Sequence, residues 1–186
     1  MVKTNINLFA EGEVVYTDGG ILAEFAWVLV VLPFIAALLI TFIGKSLPMK
    51  GAEIALGTIG IIFVYSVALM FLHITQGIAN EFFVNVGSIG QFDIEFGWVV
   101  DGLSIMMYFV VGLVALLVFI YATNYMEGEI RYTFFFTSLT LFAGSMLVLV
   151  SSPTLIQILI GWELVGVCSY LLIGHYWEIK DNSSAA

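Results

Sequence analysis

Five apolar runs occupy most of this chain: Ile21 to Gly44, Ile54 to Gln76, Gly102 to Met126, Tyr132 to Val150 and Thr154 to Gly174. Each has about the 17 to 25 residues that a helix needs to cross the hydrocarbon of a bilayer. Only 10% of the residues are charged, against roughly 25% in a soluble domain. That is too little polar surface to solvate five such helices, so the natural solvent is lipid and a soluble enzyme is disfavoured. The fold class predicted is an all-α polytopic membrane protein with five transmembrane helices. Glu24 lies near the start of the first run and Pro33 inside it, a break that a membrane helix tolerates. The fourth run carries Ser138, Thr140, Gly144 and Ser145, residues that suit close helix packing in lipid but are also ordinary in membrane helices.

Between the second and third runs the period changes. Phe92, Ile94, Phe96 and Trp98 alternate with Gln91, Asp93, Glu95 and Gly97, and Val84 and Val86 flank Asn85 upstream. Alternation of this kind is a strand signature, so a β-hairpin outside the membrane is expected, with Gly87, Ser88 and Gly90 as its turn residues. An isolated hairpin is marginal in water, so it is expected to pack on a neighbouring loop or subunit. The organisation predicted is an acidic N-terminal extension over 1–20, two spans over 21–80, the outer hairpin over 81–100 and three spans over 101–186.

The bases orient these elements. Lys45 and Lys50 fall between the first two runs, Arg131 between the third and fourth, and Lys180 after the fifth. Alternating helices put all four on one side, which the positive-inside rule makes cytoplasmic. The other side receives Lys3 with Glu11, Glu13, Asp18, Glu81, Asp93 and Glu95, so the N-terminus is predicted to face outward. The formal charge of -9 is then mostly an outer-surface property. With no cluster of Lys and Arg, nucleic acid is excluded as a partner.

Glu163 is the most informative position for chemistry. Nine residues of the fifth run precede it and eleven follow it, which puts it near the middle of the bilayer. An ionised carboxylate there costs roughly 2.5 to 3.5 kcal/mol, so such groups face a bundle interior, pair with a base or bind a proton. Burial raises the proton affinity of a carboxyl and a neighbouring cation lowers it, and a proton relay needs a group that can be moved both ways. The competing reading is a structural carboxyl that stays protonated and bonds a neighbouring helix. No base of this chain lies near the midplane, so an ion pair would need a Lys or Arg from outside the sequence.

The other polar residues read more simply. Asp101 starts the third run as a helix N-cap. His73 and His175 fall on opposite sides of the membrane and cannot share a metal or a haem, although His175 could exchange protons with the cytoplasm. Glu127 and Glu129 beside Arg131 form a solvated charged turn. Cys168, the one cysteine, reads as a small buried hydrophobe. No GxGxxG, P-loop, CxxC or nucleophile motif is present, so no metal or cofactor site is expected here and any redox cofactor belongs to a partner.

The stretch GWELVGVCSYLLIG, Gly161 to Gly174, resembles the fifth transmembrane helix of the L chain, or chain 5, of the NADH-quinone oxidoreductases of respiratory complex I. FDIEFGWVVDGLSIMM, Phe92 to Met107, is similar to that family's hairpin and the start of its third helix. YATNYMEGEIRYTFFF, Tyr121 to Phe136, resembles its loop between the third and fourth helices. The resemblance implies the antiporter-like fold, in incomplete form, and makes Glu163 the proton-handling carboxylate, paired with a lysine on a later helix. It implies a proton-translocating role coupled to quinone reduction in the inner membrane, beside other membrane subunits. NADH, FMN, iron-sulfur clusters and quinone would be held by partner subunits. Leu164 departs from the family's frequent glycine, and His175 from a frequent aromatic. The family continues for many more helices, so the chain is expected to be an N-terminal part, unable alone to complete a proton path. A subunit of a multi-subunit sodium/proton antiporter and a non-catalytic membrane scaffold are the alternatives.

Overall fold

A computed structural model describes residues 17–18, 20–89 and 92–176. Five helices in it are long and apolar enough to span a bilayer. After a two-residue strand, β1 (Thr17–Asp18), come a short helix α1 (Gly20–Glu24), α2 (Trp27–Ile43) and α3 (Ala52–Gln76). Two longer strands follow, β2 (Ile78–Ile89) and β3 (Phe92–Val100), and then α4 (Gly102–Tyr125), α5 (Tyr132–Ser151) and α6 (Leu155–Ile173). The spans are α2 to α6, and the chain is a multi-pass membrane protein.

Local chemistry sets the helix ends. Asp101 caps α4 through a capping box: its Oδ1 accepts from Ser104 N at 2.7 Å, while Ser104 Oγ accepts from Asp101 N at 2.8 Å. Glu53 folds back over the start of α3, its carboxylate accepting from Met49 N at 2.5 Å and from Gly51 N at 3.2 Å. A carboxylate at a helix N-terminus also favours the positive end of the dipole. Gly77, at φ 62°, ends α3 in the left-handed conformation, with its N–H bonded to His73 O.

α2, α3, α4 and α5 close a ring, and α6 lies outside it against α5. The ring core is apolar and aromatic, with Leu29, Ile40, Ile59, Ile62, Tyr108, Phe119, Phe136 and Leu147 fully buried. Phe119 meets Phe136 edge-on at 6.1 Å between centroids, a preferred aromatic geometry. Glycines let the backbones approach. A Cβ at Gly112 would sit 3.2 Å from Phe63 Cα, one at Gly144 3.0 Å from Pro33 Cβ, and one at Gly161 2.9 Å from Leu149 Cα. Ser138, Thr140, Gly144 and Ser145 are all buried, so the small and hydroxylated residues of the fourth run do face helix interfaces.

Two local expectations are corrected. The first apolar run is not one helix: it turns at Phe25 and Ala26, and Tyr65 Oη holds the short first piece by donating to Leu22 O at 2.6 Å. Pro33 lies within an unbroken α2. The hairpin is longer than predicted, starting at Ile78. Gly87 and Ser88 are strand residues paired with Ile94 and Asp93 beyond an irregularity at Val86. A bulge inserts an unpaired residue and bends the strand, which a glycine next to it accommodates. The expected turn residue Gly90, most of the N-terminal extension and the end of the chain with Lys180 lie outside the described residues.

Candidate functional site

α6 carries the candidate carboxylate and touches its neighbours along one narrow face. Gln157, Gly161 and Cys168 are its buried residues, a set close to one side of a helix with 3.6 residues per turn. Glu163 lies two residues on from Gly161, about 200° round the axis, and is exposed together with Trp162, Leu164 and Val167. Only 17% of the most apolar stretch of this span is buried, against 44% for α5. Among the described residues no side chain bonds or ion-pairs with the Glu163 carboxylate. It falls near the middle of α6. Its direction, away from the four-helix ring, was not predicted.

The two ends of α6 are fastened. At the hairpin end, Thr154 caps the helix by accepting from Gln157 N at 3.4 Å and donates to Glu95 O at 3.2 Å. Gln157, 5% exposed, grips β3 with both ends of its amide. Its Oε1 accepts from Gly97 N at 2.9 Å, and its Nε2 donates to Gly97 O at 2.8 Å. β3 pairs with β2 on its other edge, so the Gln157 amide takes the place of one residue of a further strand. Gly97 must be glycine, because a Cβ there would fall 1.9 Å from Phe82 O. At the opposite end Arg131 Nη1 donates to His175 O at 3.0 Å, and the His175 ring meets Phe135 edge-on. Arg131 is therefore more than part of a solvated turn, since it ties the α4–α5 loop to the end of α6. Thr133 Oγ1 likewise donates to Lys50 O at 3.0 Å.

These ties gather Lys45, Lys50, Arg131 and His175 at one end of the bundle, with the hairpin, Asp101 and His73 at the other. His73 is half-buried, with Nδ1 2.8 Å from Ile78 O. The two histidines stand at opposite ends, and among the described residues no three of His, Cys, Asp and Glu cluster as metal ligands. Cys168 is buried, 3.8 Å from Ser145 Oγ. Sequence reasoning passed over Gln157. The available signal was a lone amide in an apolar run, four residues before a close-packed glycine.

Five apolar helices long enough to span a bilayer, with a hairpin between the second and third, fit the antiporter-like class of membrane chains. Residues 87–136 match the family model described as NADH-Ubiquinone oxidoreductase (complex I), chain 5 N-terminus. The chain belongs to this chain 5, or subunit L, family. It is 40% identical over 172 residues to the NAD(P)H-quinone oxidoreductase chain 5 of Synechocystis, covering 89% of this chain and 25% of the relative. Against the NADH-quinone oxidoreductase subunit L of Escherichia coli the identity is 38% over 169 residues, 84% of this chain and 26% of the relative. The subunit 5 from the organellar chromatophore of Paulinella chromatophora is also 38% identical, over 88% of this chain and 26% of its own length. The chain thus spans about a quarter of the length of the curated relatives it matches.

Proposed function

We propose that the chain acts within a membrane subunit of a proton-translocating NAD(P)H–quinone oxidoreductase, and that Glu163 takes up and releases a proton there as quinone is reduced on partner subunits. The observation that carries this reading is a mid-span carboxylate on the face of α6 turned away from the other four helices. Facing lipid, the ionised form would cost roughly 2.5 to 3.5 kcal/mol. A polar neighbour covering that face removes the penalty, and the family resemblance implies a lysine from a later helix in that place. Shifts of buried charge in adjoining subunits would then change the proton affinity of Glu163, since opposite charge lowers it and desolvation raises it. Nicotinamide, FMN, iron-sulfur clusters and quinone belong to those partners. The orientation we propose has the end bearing Lys45, Lys50 and Arg131 in the cytoplasm and the hairpin outside, in the inner membrane.

Glu163→Gln in the full-length subunit tests the role. The amide keeps size and polarity but cannot ionise. Assembly and quinone reduction are expected to survive while the protons moved per electron fall; an unchanged proton yield overturns the assignment.

A further inference from the structure

We infer that Gln157 is a positioning residue for Glu163, a strut by which the outer hairpin sets the height and rotation of the helix that carries the carboxylate. The inference rests on the proton-handling role proposed for Glu163. It starts from a backbone that has to be satisfied. Gly97 turns its N–H and C=O away from β2, toward α6, and a buried peptide group without partners is strongly disfavoured. The Gln157 side chain is both donor and acceptor, and it meets the two at 2.9 and 2.8 Å. Two bonds in one plane fix more than one bond does. A helix that slid along its axis would break one of them, and a helix that rolled would swing the amide off the strand edge.

The hairpin is a firm anchor for such a strut. Phe82 and Trp98 stack across its two strands at 4.4 Å, Thr154 holds Glu95 beside the strut, and no side chain at Gly97 can come between. Glu163 lies six residues further along α6, about 9 Å along the axis. Besides Gln157 the buried residues of α6 are Gly161, which meets Leu149, and Cys168, and the Arg131 bond to His175 O lies beyond its far end, so at the hairpin end the hold against a roll falls to Gln157 with its neighbour Thr154. Because the carboxylate stands on the side opposite the packed face, rolling the helix changes which neighbour it can reach.

The test uses the full-length subunit in its assembled complex and reads protons moved per electron delivered to quinone, alongside quinone reductase activity and the amount of complex. Gln157→Leu should lower the proton yield, on the order of twofold or more, because misplacement of a reacting group by about an ångström is costly. In a Glu163→Gln background the same change should remove nothing further, since residues acting as one unit are non-additive. Gln157→Glu supplies a distinctive signature. A neutral carboxyl can replace the amide, accepting from Gly97 N and donating to Gly97 O, whereas the ionised form cannot donate. Its proton yield should therefore match the parent at low pH and fall as pH rises, relative to the parent profile. This variant also keeps the question decidable if Gln157→Leu does not assemble. If Glu163→Gln lowers the yield but Gln157→Leu does not, or if the two losses add, or if Gln157→Glu follows the parent at every pH, the strut is overturned alone. If Glu163→Gln itself changes nothing, the proton-handling role fails and the positioning role falls with it.

Discussion

At the residue scale, the chain meets the same requirement at several places: backbone groups that helices and strands leave without partners are taken up by side chains. Asp101 and Ser104 do this for the start of α4, Glu53 for the start of α3, and Gln157 for the outward edge of β3. The Asp101 cap could be read directly from WVVDGLS, because capping is a matter of adjacent residues. Replacing Asp101 with Ala should cost about 1 kcal/mol, measurable as a lowered thermal midpoint of the purified membrane protein, with Asp101→Asn retaining most of the stability. The roles of Gln157 and Arg131 could not be read in this way. Each depends on a backbone atom some 40 to 60 positions away, Gly97 for one and His175 for the other, and nothing local in the sequence marks that atom as unsatisfied. The position of Glu163 near the middle of its helix followed from counting residues. The direction it faces depends on which side of α6 packs against α5, and an almost uniformly apolar helix does not announce that side.

At the element scale, the five spans were legible because each needs a fixed length of apolar residues, and that constraint is nearly independent of neighbours. The hairpin was legible in its second strand, where alternation from Phe92 to Trp98 is strict, and misread in its first, where Gly87 and Ser88 resemble a turn but sit in the ladder beyond the irregularity at Val86. The turn at Phe25 and Ala26 left no trace, as no Gly or Pro marks it and the piece before it is held by distant residues, Tyr65 through its hydrogen bond to Leu22 O among them. Helix pairing in lipid relies on close backbone approach more than on expulsion of water, so glycines at contact points are where pairing is most sensitive. Gly161→Val is expected to push α6 off Leu149, because the first added carbon already meets backbone at 2.9 Å. A disulfide cross-link between cysteines engineered at facing positions of α5 and α6 should form readily in the parent, and form slowly or fail once Gly161→Val is present. A cross-linking rate that Gly161→Val leaves unchanged would refute the close approach. The same substitution at Gly57, where nothing lies within 4 Å, should leave that cross-link intact.

At the scale of the whole molecule, the ties at each end sort the loops into two sets, which makes orientation an experimental quantity. Cys168 is the one cysteine in these 186 residues, so Cys168→Ser yields a stretch without thiols. In it, Lys45→Cys should react with a membrane-impermeant thiol reagent only from the cytoplasmic side, and Val86→Cys, exposed on the hairpin, only from outside. Labelling of both from one side would refute the alternation of the spans, and the reverse pattern would refute the outward hairpin.

The fastening of α6 has a mechanical meaning as well. With Gln157 holding one end to the hairpin and Arg131 gripping the carbonyl of His175 at the other, the helix is a beam pinned at both supports and braced on one side by α5. The deflection of such a beam is greatest at mid-length and points away from the brace. Glu163 sits about a third of the way along from the Gln157 support and faces in that direction.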